Sequence, residues 1–413
     1  MSPVGISPTI LDAIAARAGV PDAEVIEGVR RLSGLFTVGR QQLGQDYLAN
    51  AAMRRAYLLY FMPVNIAKVA SVLVELASFP RGPLRVLDLG AGPGAASLAF
   101  LQHLSSSGTE AHSGTQVLAI DRNRDALCDA EAVWAAVSSR REGAPLGSPP
   151  PAPTLGEAAP LGSPPPAPTS AGSGHSLRLQ AQALDLERAG SRAPWKGDTF
   201  DLILVVNVLN ELFRDARDPL TRRVKLLVQL LDSLAPNGTL IVIEPALRET
   251  TRALHEVRDR LLAEGKANVY SPCLHERPCP ALIKPEDWCH EERAWTPPPG
   301  VQDIDRQVGF IKDALKFSYV VLRKDGLTIV ERAPDIHRVV SERLVMKGEQ
   351  RVWLCNETGR QLVGRLDKDR SERNAEFDQW DRGAIVRVDE IDRRGAVGRL
   401  RANGHAEIIR PLP

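Results

Sequence analysis

The chain has 413 residues, a net charge of +1 and 43 % apolar residues, which is enough for globular domains with buried cores. A net charge this close to zero excludes binding to nucleic acid through an overall positive field. Any contact with nucleic acid must therefore use a local patch of basic residues.

The sequence also predicts the compartment. Its N-terminus lacks the basic and apolar regions of a secretory signal, and no apolar run is long enough for a membrane span. Five cysteines, an odd number, favour a reducing environment. We therefore expect a cytoplasmic protein with no membrane partner.

Residues 1–80 form a predicted N-terminal helical region. Apolar residues recur at helical spacing, first at Ile10 and Ile14 and then at Val25 and Val29. A longer apolar stripe follows, and we expect Pro63 to break it.

Residues 81–334 alternate short apolar strands with helices, a pattern typical of a parallel, doubly wound α/β sheet. Inside this region, residues 141–175 contain an eleven-residue Pro-rich sequence twice, at 144–154 and 159–169, which predicts a disordered insertion. Residues 335–413 are predicted to form a small β-rich C-terminal region. The seven expected strands of the main sheet are 84–89, 117–121, 176–182, 200–206, 238–244, 269–270 and 317–322.

A glycine-rich turn follows the first strand, in the sequence Asp88-Leu-Gly-Ala-Gly-Pro-Gly94. Glycines there allow a sharp turn and a close approach of the backbone to a ligand. Asp121 ends the second strand, where a carboxylate can accept hydrogen bonds from both ribose hydroxyls. The acidic first position and the absence of Gly-Lys-Ser/Thr favour S-adenosylmethionine over ATP, whereas NAD is harder to exclude. The predicted cofactor residues are Asp88, Gly90, Gly92, Gly94, Asp121, Asp185 and Asn207.

The end of the fourth strand carries the catalytic candidates Asn207, Asn210 and Glu211. Many enzymes that methylate a base or amide nitrogen have a proline pair and an aromatic residue at this place, and this chain has neither. The pattern argues against a standard nitrogen methyltransferase but not against cofactor binding.

Four cysteines form the candidate metal site: Cys273, Cys279, Cys289 and Cys355. The first three are spaced C-x5-C-x9-C, and Cys355 lies 66 positions beyond Cys289. Zinc ribbons use closer cysteine pairs, and the looser spacing, with Pro280 directly after Cys279, is nearer to iron–sulfur ligation. Zinc and unliganded thiols remain alternatives. The fifth cysteine, Cys128, is expected to be a small buried apolar residue.

These motifs together resemble one family, the methyltransferase-like assembly factors of the mitochondrial small ribosomal subunit and their prokaryotic relatives. The resemblance covers most of residues 45–360, and the cysteine segment 271–296 is its most specific part. It rests on the glycine turn, Arg55-Ala-Tyr57, Met62-Pro63, Leu209-Asn-Glu-Leu212, Pro272-Cys273, Cys279-Pro280, Asp287-Trp-Cys-His290 and Lys316-Phe-Ser-Tyr319.

The resemblance implies a class I S-adenosylmethionine-dependent methyltransferase fold and a [4Fe-4S] cluster on the four cysteines. It also implies association with the immature small subunit and its ribosomal RNA, and makes catalysis doubtful. Our leading interpretation is an assembly or translation factor that binds ribosomal RNA and not DNA, with Arg277, Lys284 and Arg293 facing the RNA. An active methyltransferase acting on RNA or a ribosomal protein is the first alternative, and a zinc-stabilised metabolic methyltransferase is the second.

Overall fold

The computed structural model describes residues 5–141, with gaps at 43, 45, 78 and 107–111, and residues 177–411, with gaps at 191–192 and 394. Nearly all of the predicted Pro-rich insertion therefore lies outside the described residues.

The N-terminal region is helical, as predicted. Its helices are α1 (Pro8–Ala18), α2 (Ala23–Phe36), α3 (Ala51–Ala56) and α4 (Met62–Leu73). The Asp22 side chain caps α2 by accepting a 2.9 Å hydrogen bond from the Val25 backbone N–H, and Asn50 caps α3 in the same way.

Pro63 does not break the apolar stripe, contrary to expectation. A π-helical turn at Tyr57–Phe61 joins α3 to α4 without interruption, and Pro63 lies just after this turn, as the second residue of α4. The continuous helix Ala51–Leu73 has the length and composition to cross a membrane, which the sequence did not lead us to expect. However, 78 % of its most apolar window is buried inside the protein, so it packs as a core helix.

The central sheet contains the seven predicted strands and an eighth, β7, formed inside the cysteine segment. The spatial order is β3-β2-β1-β4-β5-β8-β6, with β7 also paired to β8. The sheet is not wholly parallel, because β8 runs antiparallel to β5, β6 and β7. The strands are β1 (Arg85–Leu89), β2 (Gln116–Asp121), β3 (Arg178–Ala183), β4 (Phe200–Val206), β5 (Leu234–Pro245), β6 (Asn268–Ser271), β7 (Glu291–Ala294) and β8 (Ala314–Arg323).

Five helices follow strands of this sheet along the chain, and the last of them packs against α2 and the π-helical turn. The middle strands β1, β4 and β5 are buried almost throughout, as strands covered on both sides must be. The helices are α5 (Ala95–Ser106), α6 (Arg124–Arg141), α7 (Pro219–Asp232), α8 (Arg248–Ala263) and α9 (Pro299–Val308).

The C-terminal region forms a second eight-stranded sheet, ordered β14-β15-β12-β11-β9-β13-β16 with β10 at the edge of β11. Its core is small and centres on Phe377 and Trp380, neither of which is exposed. The strands are β9 (Ile336–Val339), β10 (Leu344–Met346), β11 (Glu349–Asn356), β12 (Gly359–Leu366), β13 (Ile385–Val388), β14 (Ile391–Asp392), β15 (Gly398–Leu400) and β16 (Ala406–Arg410).

A buried group of charges joins the three regions. Glu75, just beyond α4, contacts Arg293 of β7 at 2.5 Å and Arg338 of β9 at 3.5 Å. The Tyr319 hydroxyl on β8 donates to Glu75 Oε2 at 2.6 Å, and Glu291 Oε1 lies 3.1 Å from Arg338 Nη2. Arg293 is 2 % exposed, so the expectation that it faces RNA is wrong.

Candidate functional sites

The glycine turn lies at the carboxyl end of β1 and needs its glycines. Gly90 has φ +73°, and a Cβ there would lie 2.4 Å from Cγ2 of Val208. Gly92 has φ +51°, and its N–H donates to Asp121 Oδ2 at 2.9 Å. A Cβ on Gly94 would lie 2.9 Å from that of Ala130, so Gly94 allows α6 to approach the turn.

Asp88 supports the turn from behind. Its Oδ2 accepts hydrogen bonds from the Ser97 N–H at 3.0 Å and the Ser97 hydroxyl at 2.6 Å, so it holds the first turn of α5. Burial raises the pKa of Asp88 to about 6. Asp88 also lines a cavity in front of the turn.

Two adjoining cavities of about 600 and 500 Å³, both partly open to solvent, lie in front of the glycine turn. Asp121 lines both, and burial raises its pKa. Asp185 lines the larger cavity, and its Oδ1 accepts a 3.0 Å hydrogen bond from the Glu187 N–H. The structure therefore brings most of the predicted cofactor residues to one place.

The roof of these cavities comes from the N-terminal region, which sequence reasoning missed. Tyr47 and Leu48 line both cavities, and Leu48 Cδ1 would lie 3.7 Å from a Cβ on Gly92. Arg54 fixes this segment by donating to the carbonyl oxygen of Leu48 at 2.9 Å. No sequence motif marks these residues, because their role depends on a contact between distant parts of the chain.

The three catalytic candidates are not equivalent. Asn207 has φ +57°, donates its N–H to the Ile243 carbonyl at 2.8 Å and lines the smaller cavity. Glu211 lines both cavities, and burial raises its pKa to about 7. Asn210 is buried instead, with its side-chain oxygen bonded to Arg40.

Glu244, at the end of β5, is a further acidic group that the sequence did not single out. It is 1 % exposed, and burial raises its pKa to about 8, so its carboxyl is neutral at pH 7. A neutral carboxyl can donate a hydrogen bond but is a poor proton acceptor. The strand ends therefore hold polar groups around a ligand-sized space, among them Glu211, whose pKa of about 7 suits a proton acceptor.

The four cysteines from Cys273 to Cys355 line one further cavity of about 550 Å³, which is also partly open to solvent. They come from three places in the chain: the loop after β6, the residues before β7, and β11. Burial raises the pKa of Cys289 to about 12, and the nearby Cys273 thiol raises it further. Cys279 and Cys355 have pKa values raised by the same two causes.

Helix α8 holds the cysteine loop through side chains that bond to its backbone. Arg252 donates to the carbonyl oxygens of Ala281, Lys284 and Asp287 at 2.8 to 3.0 Å. Asp259 accepts a 2.8 Å hydrogen bond from the Cys279 N–H.

Arg258 continues this support and adds a positive charge beside the thiols. It is fully buried and donates to the carbonyl oxygens of His275 and Arg277. Cys273 and Cys279 contribute to raising the pKa of its guanidinium. Neither Arg252 nor Arg258 belongs to a recognisable motif.

Three histidines also line the cysteine cavity: His255, His275 and His290. Burial lowers the pKa of each to about 4, so all three are neutral at pH 7. Within the ranges that the structure describes, no three His, Cys, Asp or Glu side chains are placed to hold a metal ion. Cys128 lies apart on α6 and is exposed, so the prediction of a buried residue is wrong.

The strand order, the antiparallel β8 and the glycine turn facing Asp121 define a class I S-adenosylmethionine-dependent methyltransferase fold. Among families, the one described as mitochondrial small ribosomal subunit Rsm22 matches residues 172–380. The match covers half of the chain, and the protein belongs to this family.

Solved structures with some similarity include a methyltransferase from Pyrococcus furiosus, at 13 % identity over 62 % of this chain and 82 % of that chain, with a TM-score of 0.30. A SAM-dependent methyltransferase from Leishmania major is 13 % identical over 76 % of this chain and 83 % of that chain, with a TM-score of 0.33. No curated protein matches the chain.

Proposed function

We propose that this protein is an assembly or translation factor of the small ribosomal subunit that binds ribosomal RNA and carries a [4Fe-4S] cluster. One observation carries the proposal. The matched range, residues 172–380, contains all four cysteines that line one cavity, and it excludes the glycine turn at 88–94. The matched part of the chain thus includes the whole cysteine site.

The residues around the cysteine cavity fit such a cluster. Four thiolates are the usual ligands of a cubane cluster, which carries net negative charge once they are bound. Arg258 is buried beside Cys273 and Cys279 and is paired with Asp259, so a buried ion pair adjoins the thiols.

Held by these four residues, the cluster would supply bonds that join three segments of the chain. Cys355 belongs to the C-terminal sheet, whereas the other three ligands belong to the insertion between β6 and β8. Closing so wide a loop stabilises the folded chain. The cluster would thereby fix the C-terminal sheet against the methyltransferase-like domain.

S-adenosylmethionine is the ligand that we propose for the cavities beside the glycine turn. Asp121 would accept hydrogen bonds from the ribose, and Asp185 would lie near the adenine. An active methyltransferase remains a second candidate, because the glycine turn is complete and Glu211 lines both cavities. In that case Asn207 and Glu211 would orient the methyl acceptor. The cytoplasmic location stays a prediction.

The proposal is tested by sedimenting lysates of cells that express tagged variants. Cys279→Ser and Cys289→Ser should lose association with small-subunit particles, because the cluster organises the docking surface. Cys128→Ser is the matched control, since Cys128 is exposed and lies outside the cavity, and it should sediment like wild type.

Gly92→Arg separates the two sites. It fills the cofactor cavity and should leave association intact if binding to the subunit does not need S-adenosylmethionine. If the two cysteine variants travel with small-subunit particles at wild-type levels, the cluster does not organise the binding surface.

A further inference from the structure

Trp288 has an aromatic ring that is partly exposed to solvent. Among the described residues it is the one aromatic member of the exposed large apolar side chains, at 36 % exposure. Four other tryptophans, at positions 134, 195, 295 and 380, are at most 5 % exposed. An exposed indole ring is costly to leave in water and needs an explanation.

The ring is also held in a fixed orientation. Trp288 stacks on His290, with ring centroids 5.8 Å apart and an angle of 17° between the planes. The backbone on either side is bonded, because Arg252 donates to the Asp287 carbonyl at 2.8 Å and Arg382 to the His290 carbonyl at 3.2 Å. His290 is therefore a near-parallel, offset neighbour of the indole, and part of the indole ring stays open to solvent.

The neighbouring tryptophan cannot serve the same purpose. The Arg360 guanidinium lies over the Trp353 ring at 4.7 Å and also pairs with Asp287. Trp353 therefore already has a cationic partner on its face, which leaves Trp288 as the available ring at the edge of the cysteine cavity.

Two acidic residues near Trp288 in sequence are ion-paired. Asp287 is paired with Arg360, and Glu292 with Lys316 at 2.7 Å. The exposed Lys284 adds positive charge here, as do Arg252 and Arg382, which bond to the backbone on either side of the ring. Phosphate contacts can therefore accompany stacking of a base on the ring.

We propose that Trp288 is a stacking platform for an unpaired base of single-stranded RNA. Bases of single-stranded RNA stack on exposed aromatic rings, and this mode tolerates any base because each has a π face. An indole ring that lies beside His290 and is partly open to solvent suits this ligand. The inference rests on the proposed binding of ribosomal RNA and names the place and the kind of contact.

The test uses full-length protein loaded with its cluster and a fluorescently labelled oligouridylate. Trp288→Leu keeps an apolar side chain but removes the π face, and should weaken binding about tenfold. Trp288→Phe keeps an aromatic ring and should lose less than about threefold. Neither change should alter affinity for an RNA duplex of the same length. Because stacking releases few counterions, the loss should be equal at low and moderate salt.

A second measurement uses only the wild-type protein, so it is valid even if the Trp288 variants do not fold. Photocrosslinking to RNA that contains 4-thiouridine, mapped by mass spectrometry, should mark Trp288. Crosslinks confined to other regions, or equal binding by Trp288→Leu and wild type, would overturn the platform. Equal losses in the Leu and Phe variants would also overturn it and indicate a contact that needs the indole's shape, as with a protein partner. A wild-type chain that fails to sediment with small subunits would instead refute the proposed function itself.

Discussion

Replacing Glu75 with glutamine should destabilise the protein more than any change at its surface. Glu75 is 1 % exposed and is the acceptor for Arg293 Nη2 at 2.5 Å and for the Tyr319 hydroxyl at 2.6 Å. Glutamine has nearly the same shape and keeps one oxygen. The substitution therefore removes mainly the negative charge from a site with no access to water.

The magnitude follows from the charges that remain. In the wild type, Glu75 and Glu291 balance Arg293 and Arg338. In Glu75→Gln, two buried guanidinium groups share the single carboxylate of Glu291. Removing one partner from a buried ion pair costs about 3–5 kcal/mol, because the other charge stays desolvated and uncompensated. We expect a loss of unfolding free energy in that range.

Chemical denaturation followed by circular dichroism measures the loss. The matched control is Glu24→Gln, which breaks the 3.5 Å ion pair between Glu24 and Arg55. Because the Glu24 side chain is 67 % exposed, this change should alter the free energy of unfolding by less than about 1 kcal/mol. A loss for Glu75→Gln no larger than this control would refute the idea that the buried charges hold the three regions together.

The same substitution should change the pH dependence of stability. Burial alone would raise the pKa of Glu75, but Arg293 and Arg338 outweigh it and hold the pKa below its usual value. A depressed carboxyl pKa stabilises the fold above the unfolded-state pKa, and this stabilisation is lost as the pH falls through the folded-state pKa. Wild type should therefore lose stability in acid more steeply than Glu75→Gln.

Three further predictions concern the cofactor cavities. Burial raises the pKa of Glu211 to about 7, so the cationic S-adenosylmethionine should bind more tightly in calorimetry as the pH rises from about 6 to about 8, and Glu211→Gln should flatten this dependence. Gly90→Ala should cost about 1–3 kcal/mol in thermal unfolding because its Cβ would overlap Val208, whereas Gly34→Ala, with nothing within 4 Å, should be neutral or stabilising. Asp121→Ala should weaken S-adenosylmethionine binding by about 1.5–3 kcal/mol for each lost hydrogen bond, and equal affinity would remove Asp121 from the site.

Much of the fold could be predicted from local patterns. Short apolar runs predict the strands of the central sheet. The glycine pattern predicts a sharp turn, and Gly90 and Gly92 do have positive φ there. The gathering of Cys273, Cys279 and Cys289 was also predictable from their clustering in sequence. In each case the information lies within a few neighbouring residues.

What could not be predicted depends on distant contacts. Arg252 and Arg258 hold the cysteine loop by donating to its backbone carbonyl oxygens. Every residue has such a carbonyl, so the sequence does not show which of them accept these hydrogen bonds. Arg293 was expected to face RNA because it lies near the cysteines together with other basic residues, but Glu75, 218 residues away in sequence, makes its burial favourable. Cys128 is exposed although its neighbours on α6, Leu127 and Asp129, are buried.

The central claim is that four cysteines hold an iron–sulfur cluster, and the most direct test is to measure iron, acid-labile sulfide and zinc in protein purified without oxygen. We predict about four irons and four sulfides per chain in the wild type and in Cys128→Ser, with both nearly absent from Cys279→Ser. Stoichiometric zinc with no iron in the wild-type protein would contradict the account.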